Sequence, residues 1–295
     1  PRLEEEALRI LRLYRFAARF GFAIDPPTGQ AARALCAHLD CVSVERIEEE
    51  LSKLLAAPAP AAYLDEKILK VIIPELSAPA LQAAKPVVDA CPAGTEDLPV
   101  RWAALLMSLG EDGTRKALKR LRCSNALIEE TAVLVRGMGG SGGRFLLGHE
   151  KGHSIALPTA CGSRVPPQRT VLGETSTAPG QAPAAHDTAI RIRKLLGRYD
   201  LHTVQRLAAL GAAMEPERAA DFAAQAELAA QLDADGVCCR VSQLAVNGRD
   251  LMAAGIPAGP GLRRTLEALL DAVVRGQLPN ERQRLLDAVR ENSAS

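Results

Sequence analysis

Apolar positions recur along this chain at intervals of three and four, the spacing that gathers them on one face of a helix. Leu3, Ala7, Ile10, Tyr14 and Ala17 form the first stripe and predict a helix from Leu3 to Phe22. Gly21 is a C-terminal breaker for it, and Asp25-Pro26-Pro27 marks a turn. A second helix is expected from Thr28 to His38. Ser43 stands as an N-cap before the stripe Val44, Ile47, Leu51 and Leu54, and Pro58 and Pro60 close that helix. A further helix carries Leu64, Ile68 and Val71 and stops at Pro74. The pattern resumes at Val100–Leu109, Thr114–Leu121 and Asn125–Val135, then at His186–Leu196, His202–Ala213 and Pro216–Leu232. The last block holds Leu244–Ala254, a helix with Leu262, Leu266, Leu269 and Val273, and a final helix begun by Pro279. Val and Ile are scattered singly instead of alternating, so the expected fold class is all-α.

One stretch breaks the pattern. Gly137 to Ala185 holds ten Gly and five Pro in 49 residues, with many Ser and Thr. It cannot bury a stripe, and it is expected to be a disordered insertion or linker. Four segments follow from this: 1–78, 79–136, the insertion 137–185, and 186–295.

Composition changes the picture little. The chain is 47% hydrophobic and 24% charged, ordinary for a soluble globular protein, and only 3% aromatic. Net charge is +1, so any nucleic-acid binding must come from a local patch. The seven cysteines are odd in number and show no C-x-x-C spacing, which reads as reduced thiols in a cytoplasmic protein. No run of 18 apolar residues offers a membrane span. The chain starts at Pro1 and passes directly into a charged helix, as a fragment would.

The candidate chemistry begins on that helix. Arg9, Arg12, Arg15 and Arg19 fall within about 120° of arc on one face, and no acid occurs between Ala7 and Ile24. Guanidinium forks suit phosphates and the acceptor edges of bases, and a carboxylate beside one can accept from an exocyclic amine. The alternative reading is a solvated charged face on an amphipathic helix. A second candidate lies near the other end. Gly255 to Gly261 leads into a helix whose first turns carry Arg263 and Arg264, so Gly259, Gly261, Arg263 and Arg264 could grip a phosphate. A plain interhelical turn is the alternative there.

The segment Glu5–Phe22, EEALRILRLYRFAARFGF, resembles the neck helix of bacterial-type (class II) CCA-adding tRNA nucleotidyltransferases and their poly(A) polymerase relatives. That family carries E-D-x-x-R followed by R-F-A-x-x-x-G-F. Val42–Leu55 is similar to the family's motif after the neck helix. Ile73-Pro74-Glu75-Leu76 and Arg120–Asn125 are similar to its next helix end and a helix start in its body. Leu244–Met252 and Leu278–Arg282 are close to its tail signature, L-x-V-N-G-x-D-L … G-x-L-P-N-E-R. The resemblance implies a neck over 1–78, a helical body over 79–136, and the body's end with a tRNA-binding tail over 186–295. It implies that Arg9 reads the Watson–Crick edge of the incoming CTP or ATP, that Arg12 and Arg15 line the pocket, and that Glu6 takes the place of the family's Asp. Glu6 is one methylene longer, so its carboxylate must sit differently. Glu45 and Arg46 would brace the neck. The implied activity is addition of CCA to tRNA 3′ ends, with Mg2+ held by a catalytic head domain of which nothing is seen here. The fragment itself would select bases and bind tRNA. A poly(A) polymerase fragment and a non-catalytic helical RNA-binding module are the alternative readings.

Two further motifs carry no weight. His149-Glu150-Lys151-Gly152-His153 matches H-E-x-x-H, but Gly148 and Gly152 deny it the helix that zinc chemistry needs. His186-Asp187 lacks the additional ligands of a metal-dependent phosphohydrolase. Trp102–Gly110 resembles such a domain's W-A-A-L-L-H-D-L-G segment, but Met107-Ser108 stand where the His-Asp pair would be.

Overall fold

The computed structural model describes residues 7–139 and 183–293. Among them every regular element is a helix. Glu6, the H-E-x-x-H match and residues 140–182 of the expected insertion lie outside the described residues. The ends of that segment are ordered into helices: one runs on to Gly139 and the next starts at Pro183.

The described chain divides into two compact units, one built from residues 7–139 and 202–226, the other from 183–201 and 227–293. In the first, α1 (Leu8–Phe20) buries Leu8, Ile10, Leu11, Tyr14, Ala17 and Ala18. Gly21 ends it in the left-handed conformation at φ 68°, and Phe22 N–H closes the turn on the Ala17 carbonyl at 3.0 Å. Next come α2 (Pro26–Leu35), capped by the Asp25 side chain, and a 3-10 segment, Cys36–Cys41. The latter tightens the chain where sequence periodicity suggested an unbroken helix to His38. Helix α3 (Val44–Leu55) packs on α1 with Ile47, Glu50, Leu51, Leu54 and Leu55 buried. Helix α4 (Glu66–Ile72) starts at Asp65, whose carboxylate accepts from the Lys67 and Ile68 amides.

Helix α5 (Ala78–Ala90) is a finding that periodicity did not predict. Its Pro79 sits in the first turn, where no N–H is needed, and its Pro86 is tolerated inside. Helix α6 (Leu98–Leu106) is buried on every side. It packs against α5, α3 and α8 (Asn125–Gly139), while α7 (Gly110–Arg120) forms a hairpin with α8. Helix α10 (Leu201–Met214) adds to this unit. There Gly211 admits the Phe222 ring: a Cβ would stand 2.6 Å from it.

The second unit holds α9 (Pro183–Arg198), the later part of α11 (Ala219–Ala234), α12 (Gly248–Ala253), α13 (Pro260–Val274) and α14 (Arg282–Ser293). Its core is Val246, Leu251, Leu269, Leu285, Leu286 and Val289. Gly197 on α9 lets the Cys239 carbonyl come within 2.4 Å of where a Cβ would be. Arg240 donates to the Leu196 and Tyr199 carbonyls at the end of α9, both at 3.2 Å.

Arg101 is the most unusual residue of the first unit, since it has no exposed surface at all. Its Nε donates to the Pro92 carbonyl at 2.8 Å and its Nη2 to the Cys91 carbonyl at 3.0 Å. Its Nη1 donates to the carbonyls of Leu55 and Ala57. These oxygens belong to the C-terminal ends of α3 and α5, where helical carbonyls lack partners and the dipole is negative. Burial lowers the Arg101 pKa and pushes the neighbouring Cys91 thiol up to about 12. Arg101→Met should therefore cost about 3 kcal/mol or more in urea unfolding, because the side-chain volume stays but four buried carbonyls lose their donor.

Candidate functional site

The basic face of α1 is held in place from α3. Glu50 is 4% exposed and sits on the buried side of α3. Its Oε1 accepts from Arg12 Nε at 3.3 Å. Arg15 Nε stands 2.6 Å from the other oxygen, a close ion contact out of line with the N–H bond. One carboxylate thus fixes two of the three predicted base-pocket arginines. Arg15 is largely covered, Arg12 is half exposed, and Arg9 lies one turn earlier on the same helix, partly exposed.

A second brace lies nearby. Tyr14 donates to the Asp65 carboxylate at 3.4 Å, and Arg33 Nη1 reaches the same oxygen at 3.4 Å. Burial, followed by the Asp65 charge, raises the Tyr14 pKa. Asp65 therefore ties α1 and α2 to the start of α4.

Glu45 meets a different partner. Its carboxylate accepts from Arg122 Nη1 at the end of α7, and Arg122 itself sits at φ 56°. The Glu45 pKa is lowered, first by its own backbone amide and then by Arg122. Arg46 is exposed on the same helix. The buried brace between α3 and α1 is Glu50, which sequence reasoning missed within the run Glu48-Glu49-Glu50. The signal was available: Glu50 falls three residues after Ile47, on the stripe of Leu51 and Leu54.

The other candidate lies in the second unit. Gly259 precedes α13 at φ 146°, a conformation open to glycine. Gly261, Arg263 and Arg264 follow in the first turns, and all four residues are exposed. Arg263 Nε donates to Glu267 at 2.8 Å. The tail signature has a structural meaning of its own. Asn247 caps α12 through the Arg249 and Asp250 amides, while Asp250 accepts from the Asn247 amide at 2.9 Å, a capping box. Arg282 then binds Asp250 at 2.7 Å. Asn280 accepts from the Ala245 amide and donates to the Gln243 carbonyl, both at 2.9 Å. The two halves of the signature clip onto each other.

His186 and Asp187 lie exposed in the first turn of α9. Among the described residues no group of three or more His, Cys, Asp or Glu side chains could hold a metal ion. No described helix is long and apolar enough to cross a membrane.

Two family models match the chain. One, described as a putative tRNA nucleotidyltransferase domain 2, covers residues 198–289. The other, described as a probable RNA- and SrmB-binding site of polymerase A, covers residues 21–78. The CCA-adding enzyme of Limosilactobacillus fermentum is 30% identical over 98% of this chain and 60% of its own length. The chain belongs to the tRNA nucleotidyltransferase family. The CCA-adding enzyme of Geobacillus stearothermophilus is a further family member, 27% identical over 96% of this chain and 59% of its own length. The chain therefore spans about 60% of the length of the curated relatives it matches. The crystal structure of the Bacillus stearothermophilus CCA-adding enzyme in complex with CTP has the same fold: TM-score 0.63 at 23% identity, over 99% of this chain and 63% of that one.

Glu50→Ala should destabilise the first unit by about 3 kcal/mol in urea unfolding, since it leaves the covered Arg15 without its counter-charge. Glu50→Gln keeps an acceptor and should cost less. Equal stability of all three proteins would remove the clamp.

Proposed function

We propose that this chain supplies base selection and tRNA binding to an enzyme that adds CCA to tRNA 3′ ends from CTP and ATP. The observation that carries this reading is the arginine face of α1, pinned by Glu50, in a chain whose relatives are CCA-adding enzymes along nearly its whole length. Arg9 reads the Watson–Crick edge of the incoming base through its planar pair of donors. Arg12 and Arg15, fixed by Glu50, keep the pocket positive and in register, and Glu6 stands for the carboxylate that accepts from the exocyclic amine. Preset geometry matters because selection between C and A depends on donor and acceptor positions, not on charge alone.

The exposed turn at Gly259 and Gly261, with Arg263 and Arg264 beside the start of α13, grips the tRNA backbone without reading sequence. Glu45 and Arg46 serve α3, which carries the Glu50 clamp. The Mg2+ chemistry of nucleotide addition does not fit the described residues, which assemble no metal-binding group, and no step is derived through it. A catalytic domain outside this chain would supply it, in the cytoplasm. The match to a polymerase A model over residues 21–78 favours poly(A) addition as the second reading. Product sequences from this chain joined to a family catalytic domain separate the two: CCA ends support the first, and runs of A without C overturn it.

In the same joined protein, Arg9→Ala should lower discrimination between CTP and ATP by about tenfold or more while tRNA affinity holds. Glu6→Asp should sharpen discrimination; an unchanged ratio would remove Glu6 from the pocket. Arg263→Ala and Arg264→Ala should each weaken tRNA binding for all tRNAs alike. The salt dependence of log K should flatten by about one contact per arginine, measured by filter binding across a potassium chloride series.

A further inference from the structure

Three of the chain's five phenylalanines stand together on the surface. Phe16, Phe20 and Phe22 are 43%, 55% and 63% exposed. Their rings form a continuous stack. Phe16 and Phe20, one helical turn apart, lie 6.2 Å between centroids and 4° from parallel, and Phe20 and Phe22 lie 5.6 Å apart at 29°. The third ring joins because Gly21 turns the backbone left-handed after α1. The Phe22 carbonyl is anchored by the Tyr63 hydroxyl at 3.2 Å. Guanidinium groups complete the array: Arg15 lies 3.9 Å over the Phe16 ring and Arg19 lies 5.7 Å over the Phe20 ring.

Leaving three large rings in water forfeits the gain each would have from burial, so the arrangement calls for an occupant. Its chemistry is written in the surface. The side chains are flat and aromatic, not branched aliphatic, two carry cations on or beside their faces, and no acid occurs on this helix after Ala7. Flat π-faces interleaved with cations match unpaired nucleobases on an anionic backbone; every base has a face to stack, whatever its identity.

We propose that Phe16, Phe20 and Phe22 form a stacking platform for unpaired nucleotides of RNA, with Arg19 meeting the adjoining phosphates. This deepens the tRNA-binding reading and rests on it. The platform is separate from base selection: it holds a strand by stacking and reads no Watson–Crick edge. It lies further along α1 than Arg9, toward the helix C-terminus.

The test uses the whole chain and three probes: a short single-stranded oligoribonucleotide of C and A, a blunt RNA duplex, and a tRNA with or without its unpaired 3′ nucleotides. Phe20→Leu/Phe22→Leu should bind the single strand about tenfold more weakly or worse and lose the preference for the tRNA with an unpaired end, with duplex binding unchanged. Phe20→Trp keeps an aromatic face. It should retain wild-type affinity, and its exposed indole emission should be quenched by the single strand but not by the duplex; the native Trp102 is fully buried and gives a constant background. Equal single-strand affinity of the Leu pair and the wild type overturns the platform and leaves the tRNA-binding reading standing. So does an indole emission of the Phe20→Trp protein that stays unchanged while RNA binds. A wild-type chain that binds none of the probes overturns both. Sedimentation showing a wild-type dimer that the Leu pair abolishes, with RNA affinity unaltered, would assign the rings to a second copy of this chain and also overturns the proposal.

Discussion

A single guanidinium joins the ends of two helices in the first unit. The carbonyls that close α3 and α5 point toward the same buried volume, away from water and beyond the reach of any intrahelical amide. Arg101 enters from α6 and satisfies both ends. The acceptors it meets at these ends are backbone carbonyls, so its charge is balanced largely by dipoles. That arrangement explains why α6 can be buried on every side and still carry an arginine. It also sets the position of α3, and α3 carries the carboxylate that orders the arginine face of α1. The proposed base-selecting surface is thus two contacts removed from a residue that never sees solvent.

Glu50 and Asp65 show how the fold converts charge into geometry. Arginine side chains on an exposed helix have many rotamers, and fixing them at the moment of ligand binding costs conformational entropy. A buried carboxylate fixes Arg12 and Arg15 beforehand, so a ligand meets them already placed. Asp65 does the same for the helix itself by holding Tyr14 and Arg33 while also capping α4.

Much of this was legible in the residues. The spacing of Ile10, Tyr14 and Ala17, the N-cap position of Ser43, and the breaker Gly21 were enough to predict an all-helical chain and to locate most of its helices. Helix α5 was hidden because Pro79 and Pro86 read as punctuation, although one sits where a helix can accept it and the other is carried by tertiary packing. Glu50 was hidden because a run of three acids looks like a solvated face, and only the packing of α3 on α1 shows which of the three turns inward. The tail signature was recognisable as a pattern, but its physical content, a capping box locked by Asn280 and Arg282, emerges only in the folded chain. The aromatic stack was concealed in a chain with few aromatics, since the third ring joins only through the left-handed turn at Gly21.

The clip between the two halves of the tail signature also orders events in time. Asp250 waits for Arg282, made 32 residues later, and the Ala245 amide waits for Asn280, made 35 residues later. The core they enclose waits for Leu285, Leu286 and Val289. On a ribosome, α12 and α13 emerge with their apolar faces uncovered and cannot settle until those residues have been made. The second unit therefore folds after its own synthesis, as one closing event instead of helix by helix.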